Sequence, residues 1–180
     1  MKEKELITQC VHKDRAAQKQ LYEQFARSMY RLCYRYLNDE LAAEDAMING
    51  FYKVFQMASS FTYRGEGSLK AWIKRIMVNE SLMELRKHVV FSSIDGGHLD
   101  NAAGETYIPD DLETEEIYAL VLQLPTGYRT VFNMYVVEGY THKEISSKLN
   151  ITEGTSKSQL SKAKAMLKNV LIRKGIEYGI

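Results

Sequence analysis

The sequence predicts an all-α protein: two small helical domains joined by a flexible acidic linker, with a helix-turn-helix in the second. Three observations carry this. Apolar residues recur at helical spacing along most of the 180 residues, and no strand alternation persists over a useful length. Only two prolines and 11 glycines are present, so long helices are permitted throughout. The charge is arranged in blocks. Residues 1–90 carry a net +4, residues 91–125 carry eight acids and no Lys or Arg, and residues 126–180 carry a net +5. The overall +1 therefore conceals two mildly basic modules around an acidic segment, a distribution suited to nucleic-acid binding.

The elements follow in order. Residues 4–87 read as helical almost throughout. Leu21, Phe25, Ser28, Met29, Leu32 and Tyr36 mark one apolar face. The pattern breaks at Leu37-Asn38-Asp39, where Asp39 can cap a second helix with Ala43, Met47, Phe51, Val54 and Phe55 inward. Ser59 to Ser68 reads as a loop containing Gly65 and Gly67. Leu69, Trp72, Ile73, Ile76, Met77 and Met83 mark a third long helix. Periodicity fades over residues 88–112, where Gly96, Gly97 and Gly104 mix with acids. The domains are accordingly placed at residues 1–90 and 114–180, with the linker at 91–113. Thr114 is a candidate cap for a helix through Gln123, with Ile117, Leu120, Val121 and Leu124 apolar. Pro125 opens the next element, striped by Tyr128, Val131, Phe132 and Tyr135.

The segment from Gly139 to Ala163 is the most specific local signal. Gly139 suits a helix end, where a residue without Cβ enters the left-handed region freely. Thr141 and Glu144 have capping-box spacing. Ile145 and Leu149 face inward, and Asn150 to Thr152 form the turn. Leu160, Ala163, Leu167 and Val170 then give the buried side of a second helix. Its opposite side carries Lys157, Ser158, Gln159, Ser161, Lys162 and Lys164, all hydrogen-bonding or cationic. Such a helix is built to enter the major groove of DNA. An ordinary helical hairpin with a solvated basic face is the alternative.

A second cluster lies upstream. The aromatic, glycine-containing loop Ser59 to Gly67 leads into Lys70, Trp72, Lys74 and Arg75, and later into Arg86 and Lys87. Cations hold phosphates, and exposed rings stack unpaired bases at about 1–3 kcal/mol per base. Core packing is the competing role for Phe61 and Trp72. The histidines (His12, His88, His98, His142) are scattered, and neither nucleotide-loop motif is present. Cys10 and Cys33 lack paired-ligand spacing. No enzymatic activity, cofactor, metal or disulfide is expected. The charged start of the chain lacks a signal-peptide core and no apolar run would span a membrane, so a cytoplasmic location is expected.

Taken in order, these stretches resemble the extracytoplasmic-function sigma factors, which direct bacterial RNA polymerase to promoters. Leu69 to Asn79 with Leu85-Arg86-Lys87 is similar to the promoter-melting part of that family's first domain. Leu124-Pro125, Arg129 to Phe132, Glu138-Gly139, Glu144-Ile145 and the second helix of the pair are similar to its second domain. The resemblance implies docking on the polymerase clamp through Glu44, Asp45, Phe51 and Phe55. It implies opening of the minus-ten element and capture of a flipped base by Tyr63, Arg64, Lys70, Trp72, Lys74 and Asn79. It implies reading of the duplex minus-thirty-five element by Thr141, Thr155, Lys157, Ser158, Gln159 and Lys162. The linker would thread the polymerase channels, and an anti-sigma factor is the implied inhibitor. An extracytoplasmic stress or signalling response is the implied setting. The chain departs from the family at Ile48-Asn49, where a Gln-Glu pair is usual, and at Ser156, Gln159 and Lys162 in the recognition helix. No sensing domain is expected beyond Ile180. A stand-alone helix-turn-helix regulator of duplex DNA is the alternative function. It leaves the loop at 59–68 and the Glu44-Asp45 motif without a role.

Overall fold

A computed structural model describes the backbone of residues 3–95 and 112–173, and the side chains of 3–87 and 117–173. All regular structure among the described residues is helical. The chain divides into two compact units, Met1–Ala102 and Ala103–Ile180.

In the first unit, α1 (Glu3–Val11), α2 (Arg15–Leu37), α3 (Glu40–Gln56) and α4 (Ser68–Asp95) pack around one core, with a short 3₁₀ turn at Ala58–Ser60. Two aspartates start the central helices. The Asp14 carboxylate accepts from the Ala17 amide at 2.8 Å, and the Asp39 carboxylate accepts from the Ala42 amide at 2.8 Å. Each satisfies an amide that a helix start leaves without a partner. Asn38 ends α2 in the left-handed region at φ 53°. Leu21, Met29 and Tyr36 from α2 meet Val54 from α3 and Leu69, Ile73 and Met77 from α4, all fully buried. Gly50 lets α3 and α4 approach closely: a Cβ there would stand 2.8 Å from Met77 Cε. Between the same helices Lys53 Nζ donates to Glu80 Oε1 at 2.6 Å.

Three details differ from the sequence reading. Ser28 is exposed, because the buried stripe of α2 passes through Phe25 and Met29 and leaves position 28 on its edge. Met83 is 45% exposed, where α4 turns that side outward. Helix α4 also runs to Asp95, past the expected boundary at residue 90. Most of the expected linker, residues 96–111, lies outside the described residues.

In the second unit, α5 (Leu112–Leu122), α6 (Thr126–Phe132), α7 (His142–Leu149) and α8 (Glu153–Arg173) form a helical cluster in which α8 packs on α6 and α7. Helix α5 begins at Leu112, so Thr114 stands inside its first turn and not at its cap. Pro125 caps α6 as a residue with fixed φ and no amide to satisfy. The buried Arg129 donates from Nη1 to the carbonyls of Leu124 at 2.9 Å and Leu122 at 3.3 Å, occupying acceptors that the end of α5 leaves open. Helix α6 continues into a π turn at Asn133–Val137, in which the Glu138 amide reaches the Asn133 carbonyl at 3.0 Å. The sequence reading gave an unbroken apolar stripe here. The wider turn rotates Tyr135, Val136 and Val137 to exposed positions.

Candidate nucleic-acid and polymerase surfaces

The helix-turn-helix is assembled by local chemistry. Gly139 adopts φ +77° and ends the π turn. Thr141 and Glu144 then close a capping box. The Thr141 hydroxyl accepts from the Glu144 amide at 3.2 Å, while Glu144 Oε2 accepts from the Thr141 amide at 2.8 Å and from its hydroxyl at 2.8 Å. Thr141 remains exposed, but its hydroxyl is engaged within the cap. Asn150, at φ 55°, ends α7 in the left-handed region. Thr152 supplies the start of α8: its hydroxyl oxygen accepts from the Thr155 amide at 3.0 Å and lies 2.9 Å from the Thr155 hydroxyl oxygen. The Ser/Thr preference of helix starts could have flagged Thr152 in the sequence, where it was read only as part of the turn.

Helix α8 has three longitudinal sectors. Ser156, Leu160, Ala163 and Leu167 are buried. Ser156 is fully buried, and its hydroxyl sits 2.9 Å from His142 Nδ1. His142 in turn stacks on Tyr135 with ring centroids 4.4 Å apart. A second sector faces α6. Gln159 is half-buried there, 3.4 Å from where a Cβ on Gly127 would stand, and Lys162 Nζ lies 6.0 Å from the Tyr128 ring centroid. At about 100° per residue, the remaining arc carries Lys157, Ser158, Ser161, Lys164 and Lys168, all exposed. The sequence reading placed Gln159 and Lys162 on that open face. Gln159 is instead half-buried against α6, Lys162 remains exposed beside the Tyr128 ring, and Lys164 and Lys168 continue the basic stripe in line with Lys157. Lys168 was missed because the motif was read only as far as position 164.

In the first unit, the loop after Ala58–Ser60 leads to α4. Tyr63 and Arg64 are exposed at its crest, and Gly65 (φ +119°) and Gly67 (φ +82°) make the bends on its return. Ser68 pins the loop internally: its hydroxyl donates to the Gly65 carbonyl at 2.6 Å and accepts from the Arg64 amide at 3.2 Å. Phe61 and Trp72 pack on each other with centroids 5.1 Å apart, both half-buried. Trp72 is therefore part of the wall that supports the loop. Helical geometry puts Trp72, Arg75 and Asn79 along one line of α4 and Lys70 with Lys74 along another. Arg75 is exposed between Trp72 and Asn79, a cation that the sequence reading did not single out as a site residue.

The expected polymerase face divides. Glu44 and Asp45 are exposed on α3. Phe51 is only 2% exposed, held edge-on against Tyr22 at 4.9 Å, so it is a core residue and not a contact. Phe55 is half-buried. The outward line of α3 is instead Leu41, Ile48 and Tyr52, at 76%, 51% and 62% exposure, with Asp45 in line and Glu44 on its flank. Ile48 thus stands in the middle of an open apolar stripe.

Two family models match this chain: "Sigma-70 region 2" over residues 21–89 and "Sigma-70, region 4" over residues 114–167. Together they span about two thirds of it, and the chain belongs to the sigma-70 family of RNA polymerase sigma factors. Several of its curated relatives are named as extracytoplasmic-function sigma factors. The sigma factor SigM of Mycobacterium tuberculosis is 27% identical over 168 residues, covering 93% of this chain and 83% of that protein. SigW of Bacillus subtilis is 26% identical over 181 residues, covering 93% of this chain and 96% of that protein. Among solved structures, the sigma factor RpoE bound to the anti-sigma factor NepR from Bartonella quintana shares the fold at a TM-score of 0.57 and 21% identity, covering 85% of this chain and 95% of that one. CnrH in complex with the cytosolic domain of CnrY does so at 0.52 and 19%, covering 93% and 96%. Among the described residues, no helix is long and apolar enough to cross a membrane.

Proposed function

We propose that this protein binds core RNA polymerase in the cytoplasm and directs it to a two-part promoter, with no catalytic activity of its own. The observation that carries the reading is the succession, on one chain, of a region 2 unit and a region 4 unit, each with an exposed cationic surface. A stand-alone regulator would need only the second.

In this reading α3 docks on polymerase through Leu41, Ile48 and Tyr52, flanked by Glu44 and Asp45. Apolar contact replaces the polar contact usual at position 48. Tyr63 and Arg64 meet the minus-ten element as it opens. Lys70, Lys74 and Arg75 hold strand phosphates, with Trp72 and Asn79 lining the place of a captured base. In the second unit, α8 enters the major groove at the minus-thirty-five element. Lys157, Lys164 and Lys168 face phosphates, while Ser158 and Ser161 point at base edges. Thr141 and Thr155 fix the ends of α7 and α8, and Gln159 and Lys162 set the angle against α6. The acidic linker suits a basic polymerase channel. An anti-sigma protein that covers both units is the proposed inhibitor, a role supported by the fold shared with sigma factors solved in complexes. The setting proposed is an extracytoplasmic stress or signalling response, in keeping with the group to which its relatives belong.

Run-off transcription with core polymerase, on upstream sequences of the source genome, tests this directly. Protein-dependent transcripts that start downstream of one shared two-part motif are expected. Absence of such transcripts, with tight duplex binding by the free protein, would overturn it.

A further inference from the structure

The loop of residues 61–67 is held from outside as well as from within. The Gly67 amide donates to Glu3 Oε2 at 3.0 Å, a contact between the first turn of α1 and the residue that opens α4. Gly67 occupies the cap position of that helix, its carbonyl accepting from the Ala71 amide at 3.0 Å, yet it has no side chain with which to cap. Glu3 supplies the missing anion from another helix, at the end where exposed amides favour negative charge. The other end of the loop meets the same helix. Helix α1 packs against Ala58–Ser60 as well as α2, with Leu6, Ile7, Cys10 and Ala58 buried. One helix thus braces both feet of the loop that presents Tyr63 and Arg64.

We propose that Glu3 is a positioning residue for promoter opening: by holding the Gly67 amide, with α1 packed under the other foot, it fixes the height and direction of Tyr63 and Arg64. This rests on the reading of that loop as facing the minus-ten element. Glu3 touches no DNA in this scheme, and acts through the loop.

The test uses the full chain with core polymerase, and reads permanganate reactivity of unpaired thymines at the minus-ten element. Glu3→Ala is expected to lower open complex about two- to fivefold, the range for one carboxylate at a helix start. Polymerase binding and the melting temperature of the free protein should change little. Glu3→Gln keeps an acceptor oxygen without the charge and should restore part of the loss. In a Tyr63→Ala/Arg64→Ala background, Glu3→Ala should add little, because the residues it positions are gone. Hydrogen exchange at the Gly67 amide should speed up in Glu3→Ala. Equal effects of Glu3→Ala with and without the two loop side chains would overturn the proposal, as would a silent Glu3→Ala beside a defective Tyr63→Ala/Arg64→Ala variant. A silent Tyr63→Ala/Arg64→Ala variant would instead remove the minus-ten role of the loop and the proposal with it, and so separates that failure from a failure of the tether alone.

Discussion

At the residue scale, backbone and burial set the consequences of change. Gly139 has open space where a Cβ would go, so Gly139→Ala meets no neighbour, only the strain of φ +77°. A loss of about 1 kcal/mol is expected by denaturant titration of the second unit. Thr141→Ala removes the hydroxyl arm of the capping box, leaves the backbone amide on Glu144, and is expected to cost about 1 kcal/mol in the same measurement. Cys33 is fully buried, and burial pushes its thiol up from 9.0 to about 11. In the folded protein it should resist alkylation at neutral pH and react only once denatured. The sign with pH follows. The unfolded thiol ionises from about pH 9 while the folded one keeps its proton to about 11, so the unfolded chain binds fewer protons and stability falls as pH rises across that window. Cys33→Ala should flatten this decline in melting experiments.

At the element scale, the divided surface of α8 separates two kinds of variant. Lys157→Ala and Lys164→Ala should weaken binding across promoter sequences alike, each lowering the slope of log affinity against log salt by roughly 0.9. Gln159→Ala opens space beside Gly127 and should change promoter preference through the angle of the helix, with the salt slope intact. Identical behaviour of the two kinds in the polymerase complex would contradict the sectors. Helix existence was legible because caps and apolar spacing agree. Asp39, Thr141 and Glu144 each do in the structure what their side chains suggest. Side-chain direction was less legible. Phe51 and Phe55 are both aromatic and one turn apart, yet Phe51 is sealed by Tyr22 and Phe55 is half open, because burial depends on which helix arrives from elsewhere in the chain. The π turn was invisible for a related reason: one extra residue per turn leaves no mark in composition, only a rotation of Tyr135 to Val137. Gln159 looked like part of the open face until α6 came to lie beside it.

At the scale of the whole molecule, two cores imply two places to break. Trp72 is the only tryptophan and lies in the first unit, so its fluorescence follows that unit. Gly50→Ala forces a methyl group against the buried Met77, and is expected to lower the Trp72-detected transition by about 1–3 kcal/mol. Helicity of the α5 to α8 cluster, followed by far-UV dichroism, should show a second transition that this variant moves little. The net charge of +1 also bears on function. A nearly neutral chain with a few phosphate contacts binds duplex DNA weakly on its own at physiological salt, so promoter occupancy should depend on added core polymerase. The division into two units around an acidic segment was legible from the charge blocks. The extent of α4 was not, since residues 88–95 lack the periodicity that announces a helix.

The part-buried bond between Ser156 and His142 has a bearing on fidelity. Apolar side chains grip a helix but tolerate small rolls about its axis, because greasy contacts have no direction. A hydroxyl at the root of α8 facing an imidazole fixes the roll angle like a detent. Each residue of slip would swing Lys157 by about 100° away from the groove. His142→Ala should therefore blur discrimination between related promoters more than it lowers overall transcription.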